Sequence, residues 1–267
     1  MTAIKQLLRN FVPARLLLRR RALLQLKSWE PELSLVQLVC EKSAAAVDVG
    51  ANLGVYTYFA AKYSAWVYSI EPVPDVAARL RASVPSNVTV LPLAVSDKAG
   101  RSTLYLPRMG RVAVDTRATL EETANPGFDA DPIEIDTQRI DDLGLENVAF
   151  MKIDVEGHEQ AVLRGARDLI ASSRPTLLIE SEERHGKGRV GATKAFFEEL
   201  GYEGFFFCSG RLRRMASFDP ALYQRREDAK RFGEGRKTEY INNFLFIHKD
   251  KQHVLNKVES KFPLEDL

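Results

Sequence analysis

AAAVDVGANLGVYTYFAA, residues 44–61, carries two hydrophobic periodicities with a glycine turn between them. Small and β-branched residues lead into Asp48 as in a buried strand. After Gly50 and Gly54, residues Val55, Tyr56, Tyr58, Phe59 and Ala60 recur at helical spacing. Strand, tight turn and helix in that order open a doubly wound α/β domain. Gly50 and Gly54 let backbone approach a ligand closely, and the helix that follows offers free N–H groups to an anionic part of it. The turn, with Asn52 inside it, is therefore a candidate cofactor seat.

Which cofactor it seats follows from what the turn lacks. A dinucleotide fingerprint runs G-x-G-x-x-G so that pyrophosphate can lie on the helix N-terminus. Here the run is D-V-G-A-N-L-G, and Asp48 would repel a pyrophosphate at short range. A carboxylate there suits an ammonium or a sulfonium instead. Seventeen residues past Gly54, the apolar run WVYSIEP ends in Glu71 and Pro72. An acid at that place accepts hydrogen bonds from both hydroxyls of a ribose. A ribose joined to a cationic amino acid is S-adenosylmethionine. The alternative is a strand, turn and helix whose glycines serve packing alone.

A second chemical centre lies in VAFMKIDVEGHEQAVLRGARDLI, residues 148–170. Val148 to Ile153 read as a buried strand, and Asp154, Glu156, His158 and Glu159 crowd its carboxyl end before a helix. Four ionisable groups within six residues are costly to desolvate unless they hold a cation or move a proton. Glu159 has a simpler use, complementing the dipole of its own helix. The next strand, PTLLIESEERH, brings Glu180 to the same sheet edge, with Glu182, Glu183 and His185 beyond it. Neighbouring strand ends converge in such a sheet, which puts Asp154 and Glu180 across one pocket. The catalytic candidates are Asp154, Glu156, His158, Glu180 and His185. The base that takes a hydroxyl proton is Asp154, His158 or His185, the histidines being better matched near neutrality. Alternatively, Asp154, Glu156 and Glu180 hold Mg2+ or Ca2+, which prefer oxygen ligands.

VDVGANLG (47–54) and KIDVEGHE (152–159), read with LPLAVSDKAG (91–100) and IDTQRIDDL (135–143), give the chain the look of a methyltransferase of the FkbM family. The resemblance runs from about Ala44 to Lys249. It implies a Rossmann-like class I methyltransferase sheet, mostly parallel with an antiparallel last strand. It also implies S-adenosylmethionine as cofactor, held by Asp48, Gly50, Asn52, Gly54, Glu71, Pro72, Ser96, Asp97 and Asp154. Ser96 and Asp97 then flank the adenine, Asp97 reaching its exocyclic amine. The acceptor implied is a hydroxyl of a glycan, a lipid-linked sugar or a secondary metabolite. An NAD-linked oxidoreductase, or a scaffold that keeps the fold without catalysis, are the other readings.

Composition bounds the rest. With 267 residues and 45% hydrophobic content, the chain can build one α/β domain with extra elements. A net charge of +2 argues against wholesale nucleic-acid binding. Cys40 and Cys208 are too few for a disulfide framework, so a reducing cytoplasm is expected. No apolar run approaches the length of a membrane span, and the N-terminal apolar patches, broken by arginines, do not read as a signal peptide. Residues 1–42 read as a basic helical extension. Its first 30 residues hold Lys5, Arg9, Arg15, Arg19, Arg20, Arg21 and Lys27 against Glu30 alone, seven cations less one acid, or +6. Residues 1–27 therefore either touch an anionic membrane at its inner surface or pack on the domain with their arginines solvated. Residues 43–250 form the methyltransferase domain. NVTVLPLAVSD supplies its third strand, ending in Ser96 and Asp97 at the ligand edge. Residues 101–137 break the rhythm as a β insertion that shapes an acceptor pocket. The basic run 210–237 reads as a loop or lid, Asn242 and Asn243 open the last strand where they could meet substrate, and 251–267 is a charged, peripheral tail.

Overall fold

The computed structural model describes residues 12–28, 31–110, 112–125, 127–225 and 240–265. Helix α1 (Ala14–Ser28) and a short α2 (Val36–Val39) precede β1 (Ala45–Val49), α3 (Val55–Tyr63), β2 (Trp66–Ile70), α4 (Pro74–Ser83), β3 (Val88–Leu91) and β4 (Ala94–Val95). The insertion contains β5 (Gly100–Met109), β6 (Val112–Ala113) and β7 (Asp129–Gln138). The alternation resumes with β8 (Val148–Ile153), α5 (Glu159–Arg164), α6 (Arg167–Ser173), β9 (Thr176–Glu180), α7 (Arg189–Glu199) and β10 (Tyr202–Cys208). It closes with β11 (Arg211–Arg214), α8 (Pro220–Tyr223), β12 (Asn243–His248), α9 (Gln252–Lys261) and β13 (Leu264–Glu265).

The main sheet runs β13-β11-β10-β12-β9-β8-β1-β2-β3. β3, β2, β1, β8 and β9 are parallel, and β12 enters antiparallel between β9 and β10. This is the Rossmann-like order expected, with the chain's last long strand reversed. Every residue of β1 and β8 is buried because helices cover both faces. Alternation sorts their side chains. Val47, Val49, Met151 and Ile153 pack with Val162, Leu163, Ile170 and Phe197 of α5, α6 and α7. Ala46 and Phe150 face the other way, onto Phe59, Ala60, Val254 and Val258 of α3 and α9.

The insertion is a second sheet, β4-β7-β5-β6, as residues 101–137 led us to expect. It is anchored where Leu104, Leu106 and Ile135 meet Val76 of α4.

Three expectations are corrected. The third strand is not continuous to Asp97: it stops at Leu91, because Pro92 has no N–H to donate, and Ala94–Val95 pairs with β7 of the second sheet instead. The tail beyond Lys251 is not peripheral, since Val254, Leu255 and Val258 of α9 are buried and β13 extends the sheet. The basic run read as a loop or lid contains β11, which hydrogen-bonds along β10, while 226–239 fall outside the described residues. Of residues 1–27, residues 1–11 also fall outside the described residues, and α1 packs one face on the domain through Leu18 and Ala22. No helix among the described residues is long and apolar enough to cross a membrane.

Candidate active site

The carboxyl ends of β9, β8, β1 and β2 stand side by side, where open α/β sheets bind ligands. A cavity of about 660 Å³ opens there, within the range of about 300–1,000 Å³ usual for small-molecule sites. Asp48, Glu71, Asp154, Glu156, His158 and Glu180 all line it. Six expected site residues, spread over 133 positions of sequence from 48 to 180, thus share one space.

Backbone conformation makes the floor. Gly50 has φ +77°, and a Cβ on it would sit 1.8 Å from the carbonyl oxygen of Asp154, so the loops after β1 and β8 touch without room for a side chain. Gly54 holds the left-handed N-cap of α3 above Leu18 and Leu80. Gly50→Ala is expected to cost more than about 2 kcal/mol of stability, from left-handed strain plus the clash. Chemical denaturation checks this, and an unchanged midpoint would mean the two loops are not in contact.

Glu71 is buried and already aimed. Its Oε2 accepts from Asn52 N at 2.8 Å and its Oε1 from Val73 N at 2.9 Å, leaving one lone pair on each oxygen for a ligand. Burial pushes its carboxyl up to about 7 against the pull of those two N–H groups. Asp48 accepts from the Thr57 hydroxyl at 2.6 Å, and burial pushes it up to about 6. Hydroxyl or ammonium donors favour the ionised carboxyl, so a ligand bearing them expels protons from the two acids. Calorimetry of cofactor binding at pH 6 in buffers of different ionisation enthalpy is expected to show proton release that fades by pH 8. Apparent affinity should rise over the same interval. Identical heats in every buffer at pH 6 would contradict this linkage.

The acids on the other side come with cations. Lys152, 2% exposed on β8 opposite Asp48, places its Nζ 3.5 Å from Asp154. Glu156, in a left-handed conformation at φ 50°, accepts from Arg184 at 2.7 Å. The same guanidinium forks onto Glu182, which also accepts from the Tyr240 hydroxyl. Burial pushes Glu182 up, but Arg184 and Tyr240 outweigh it and hold the carboxyl at about 2. Glu180 goes the other way: burial, then Asp154, Glu182 and Glu156, keep it protonated well above the usual carboxylate range, and it accepts from Asn242 at 2.7 Å.

His158 caps α5 and is held at both nitrogens. Nδ1 lies 2.8 Å from Glu121 of the insertion, and Nε2 lies 2.9 Å from the Ser96 hydroxyl. His185 is placed differently: 3% exposed, it packs its ring on Gly157 behind Glu156, outside the cavity lining. Glu159 accepts from Gly157 N, a local cap.

Of the cofactor residues expected, Gly50, Asn52 and Pro72 line the cavity. Ser96, bonded to His158, and Asp97 are not in the lining. Arg164 binds Asp97 at 2.8 Å and holds its carboxyl below the usual range, a partner 67 residues distant in sequence. Asn242 is engaged by Glu180, and neither it nor Asn243 lines the cavity. Sequence reasoning missed Arg21 and Gln25 of α1, Tyr56, Lys152, Arg184 and residues 116–120 of the insertion, all in the lining. Only Lys152 left a legible sign, a lone cation inside an apolar strand.

Residues 48–203 match the family model described as Methyltransferase FkbM domain. The 2-O-methyltransferase NoeI of Sinorhizobium fredii (strain NBRC 101917 / NGR234) is 26% identical over 174 residues, covering 58% of this chain and 71% of the relative. Methyltransferase sdnD of Sordaria araneosa is 30% identical over 173 residues, covering 52% and 67%. A solved structure of methyltransferase FkbM from Methylobacillus flagellatus KT has 19% identity and a TM-score of 0.48 over 77% of this chain, which spans 44% of that structure's chain.

Proposed function

This chain belongs to the FkbM methyltransferase family, and from that we propose that it transfers a methyl group from S-adenosylmethionine to a hydroxyl of a sugar, glycan or related polyhydroxylated metabolite. The observation that carries the reading is one cavity lined both by the buried acids Asp48 and Glu71 and by His158, whose ring Glu121 holds from outside the lining.

The residues fit the cofactor. Glu71 has lone pairs left for ribose hydroxyls, Asp48 suits the amino group or the sulfonium, and the Arg21 guanidinium on the cavity wall suits a carboxylate. When bound, S-adenosylmethionine supplies a methyl group already activated by the sulfonium. The protein's work is then to place the acceptor oxygen and receive its proton, and placement alone can contribute on the order of 7–11 kcal/mol. His158 is assigned the base. It lines the cavity, and Glu121 fixes its ring and stabilises the imidazolium that forms. His185 lacks access, and Asp154 is engaged by Lys152. The Glu156–Arg184–Glu182 array and Glu180 offer hydrogen-bonding groups to a polyhydroxylated partner.

Support for oxygen as the methylated atom comes from NoeI, itself a 2-O-methyltransferase. Oxygens of Asp154, Glu156 and Glu180 do lie within 4.8 Å of one another, the set considered for Mg2+ or Ca2+. Lys152 and Arg184 already meet Asp154 and Glu156, and we assign the three acids no metal step. Family membership sets aside the NAD-linked and scaffold readings. Mass spectrometry of glycans and small metabolites from cells with and without the protein tests the proposal. One CH2 is expected on a hydroxylated species only when the protein is present. Methylation confined to nitrogen or carbon would refute the acceptor class.

A further inference from the structure

Helix α1 has two faces, and among the described residues the buried core packs against one of them. Leu18 and Ala22 point inward to Ala77, Leu80 and Phe59, and Arg21 and Gln25 reach the cavity. On the opposite face, Leu16 and Leu23 are 52 and 37% exposed, Val12 just ahead of the helix is 39% exposed, and Leu24, across Arg20 and Lys27 from them, is 55% exposed. Single exposed leucines are ordinary, but a row of them on one helix face is not. Flanking the row are Arg19 on one side and Arg20 and Lys27 on the other, and Arg15 adds a further cation. Residues 12–28 contain no aspartate or glutamate.

We propose that this outer face of α1 docks on an anionic phospholipid surface, with Leu16, Leu23 and Leu24 entering the headgroup boundary and Arg19, Arg20 and Lys27 meeting lipid phosphates. The chemistry decides for a bilayer over a protein partner. An apolar row bordered by cations, with no acid to match a basic partner, is the pattern of helices lying in a membrane interface. A second copy of the chain would bring arginine against arginine across such a face. Because the inner face of the same helix walls the cavity, docking leaves Arg21 and Gln25 in place. The inference stands whether or not the methyl acceptor is a sugar.

The test is sedimentation of the full chain with vesicles of phosphatidylcholine alone and of phosphatidylcholine mixed with phosphatidylserine. Partitioning is expected onto the anionic vesicles only. It should fall at least about tenfold in Leu16→Ser/Leu23→Ser/Leu24→Ser, in Arg19→Glu/Arg20→Glu, and in high salt, which screens the arginine contacts. Thermal melting of each variant guards against misfolding, and the charge reversal is a surface change that the core does not feel. Failure of the intact chain to sediment with anionic vesicles overturns the proposal. So does a leucine variant that binds vesicles as before while a dimer of the parent becomes monomeric.

Discussion

His158→Ala is expected to slow methyl transfer by about a hundredfold to ten-thousandfold, the usual contribution of a positioned base, with S-adenosylmethionine affinity nearly unchanged. The reason is geometric. The ring lines the cavity, Glu121 holds Nδ1 at 2.8 Å, and Nε2 exchanges only a weak neutral partner, Ser96, for the acceptor hydroxyl. Glu121→Gln should fall between the parent and the alanine variant, because it keeps the ring oriented but removes the charge that steadies the imidazolium. Single-turnover transfer of a labelled methyl group, measured with the acceptor identified by mass spectrometry, separates this from binding. Unaltered transfer in His158→Ala would show that the proton leaves by another route.

Glu71→Ala should weaken S-adenosylmethionine binding by about a hundredfold or more. Two hydrogen bonds to a charged group are lost, each worth about 1.5–3 kcal/mol, and about 1.4 kcal/mol is tenfold in affinity. Part of the loss arises without the ligand, since the Asn52 and Val73 N–H groups lose their acceptor. Glu71→Gln keeps one carbonyl oxygen and is expected to lose less. Calorimetry measures both, and equal affinity in the parent and Glu71→Ala would remove the ribose from this edge.

What could be read from the chain was local. Residues 44–61 announce strand, turn and helix because each residue's role depends on near neighbours, and KIDVEGHE does the same at β8. The β insertion of residues 101–137 was legible from the alternating character of its strands. What escaped was set by residues far apart. Asp97 looked free to reach a ligand until Arg164, from α5, claimed it. His158 and His185 come from different strand ends, and only their place in the fold puts His158 in the cavity lining while His185 packs on Gly157 outside it. Glu121, in a polar stretch with no pattern, gains its meaning from His158 alone. Arg21 and Gln25 looked like part of a basic solvent-facing run, because nothing in a helix's own sequence says which neighbour its inner face will meet. The tail was misjudged by its charge, although Val254, Leu255 and Val258 already stood at the spacing of a buried helical stripe.

A crystal structure of the chain grown with S-adenosylhomocysteine bears most directly on the shared cavity. The ribose hydroxyls should rest on Glu71, the amino group should lie beside Asp48, and open space should separate the sulfur from the His158 ring. An adenosyl group bound elsewhere, or a sulfur walled off from His158 by packed side chains, would contradict it.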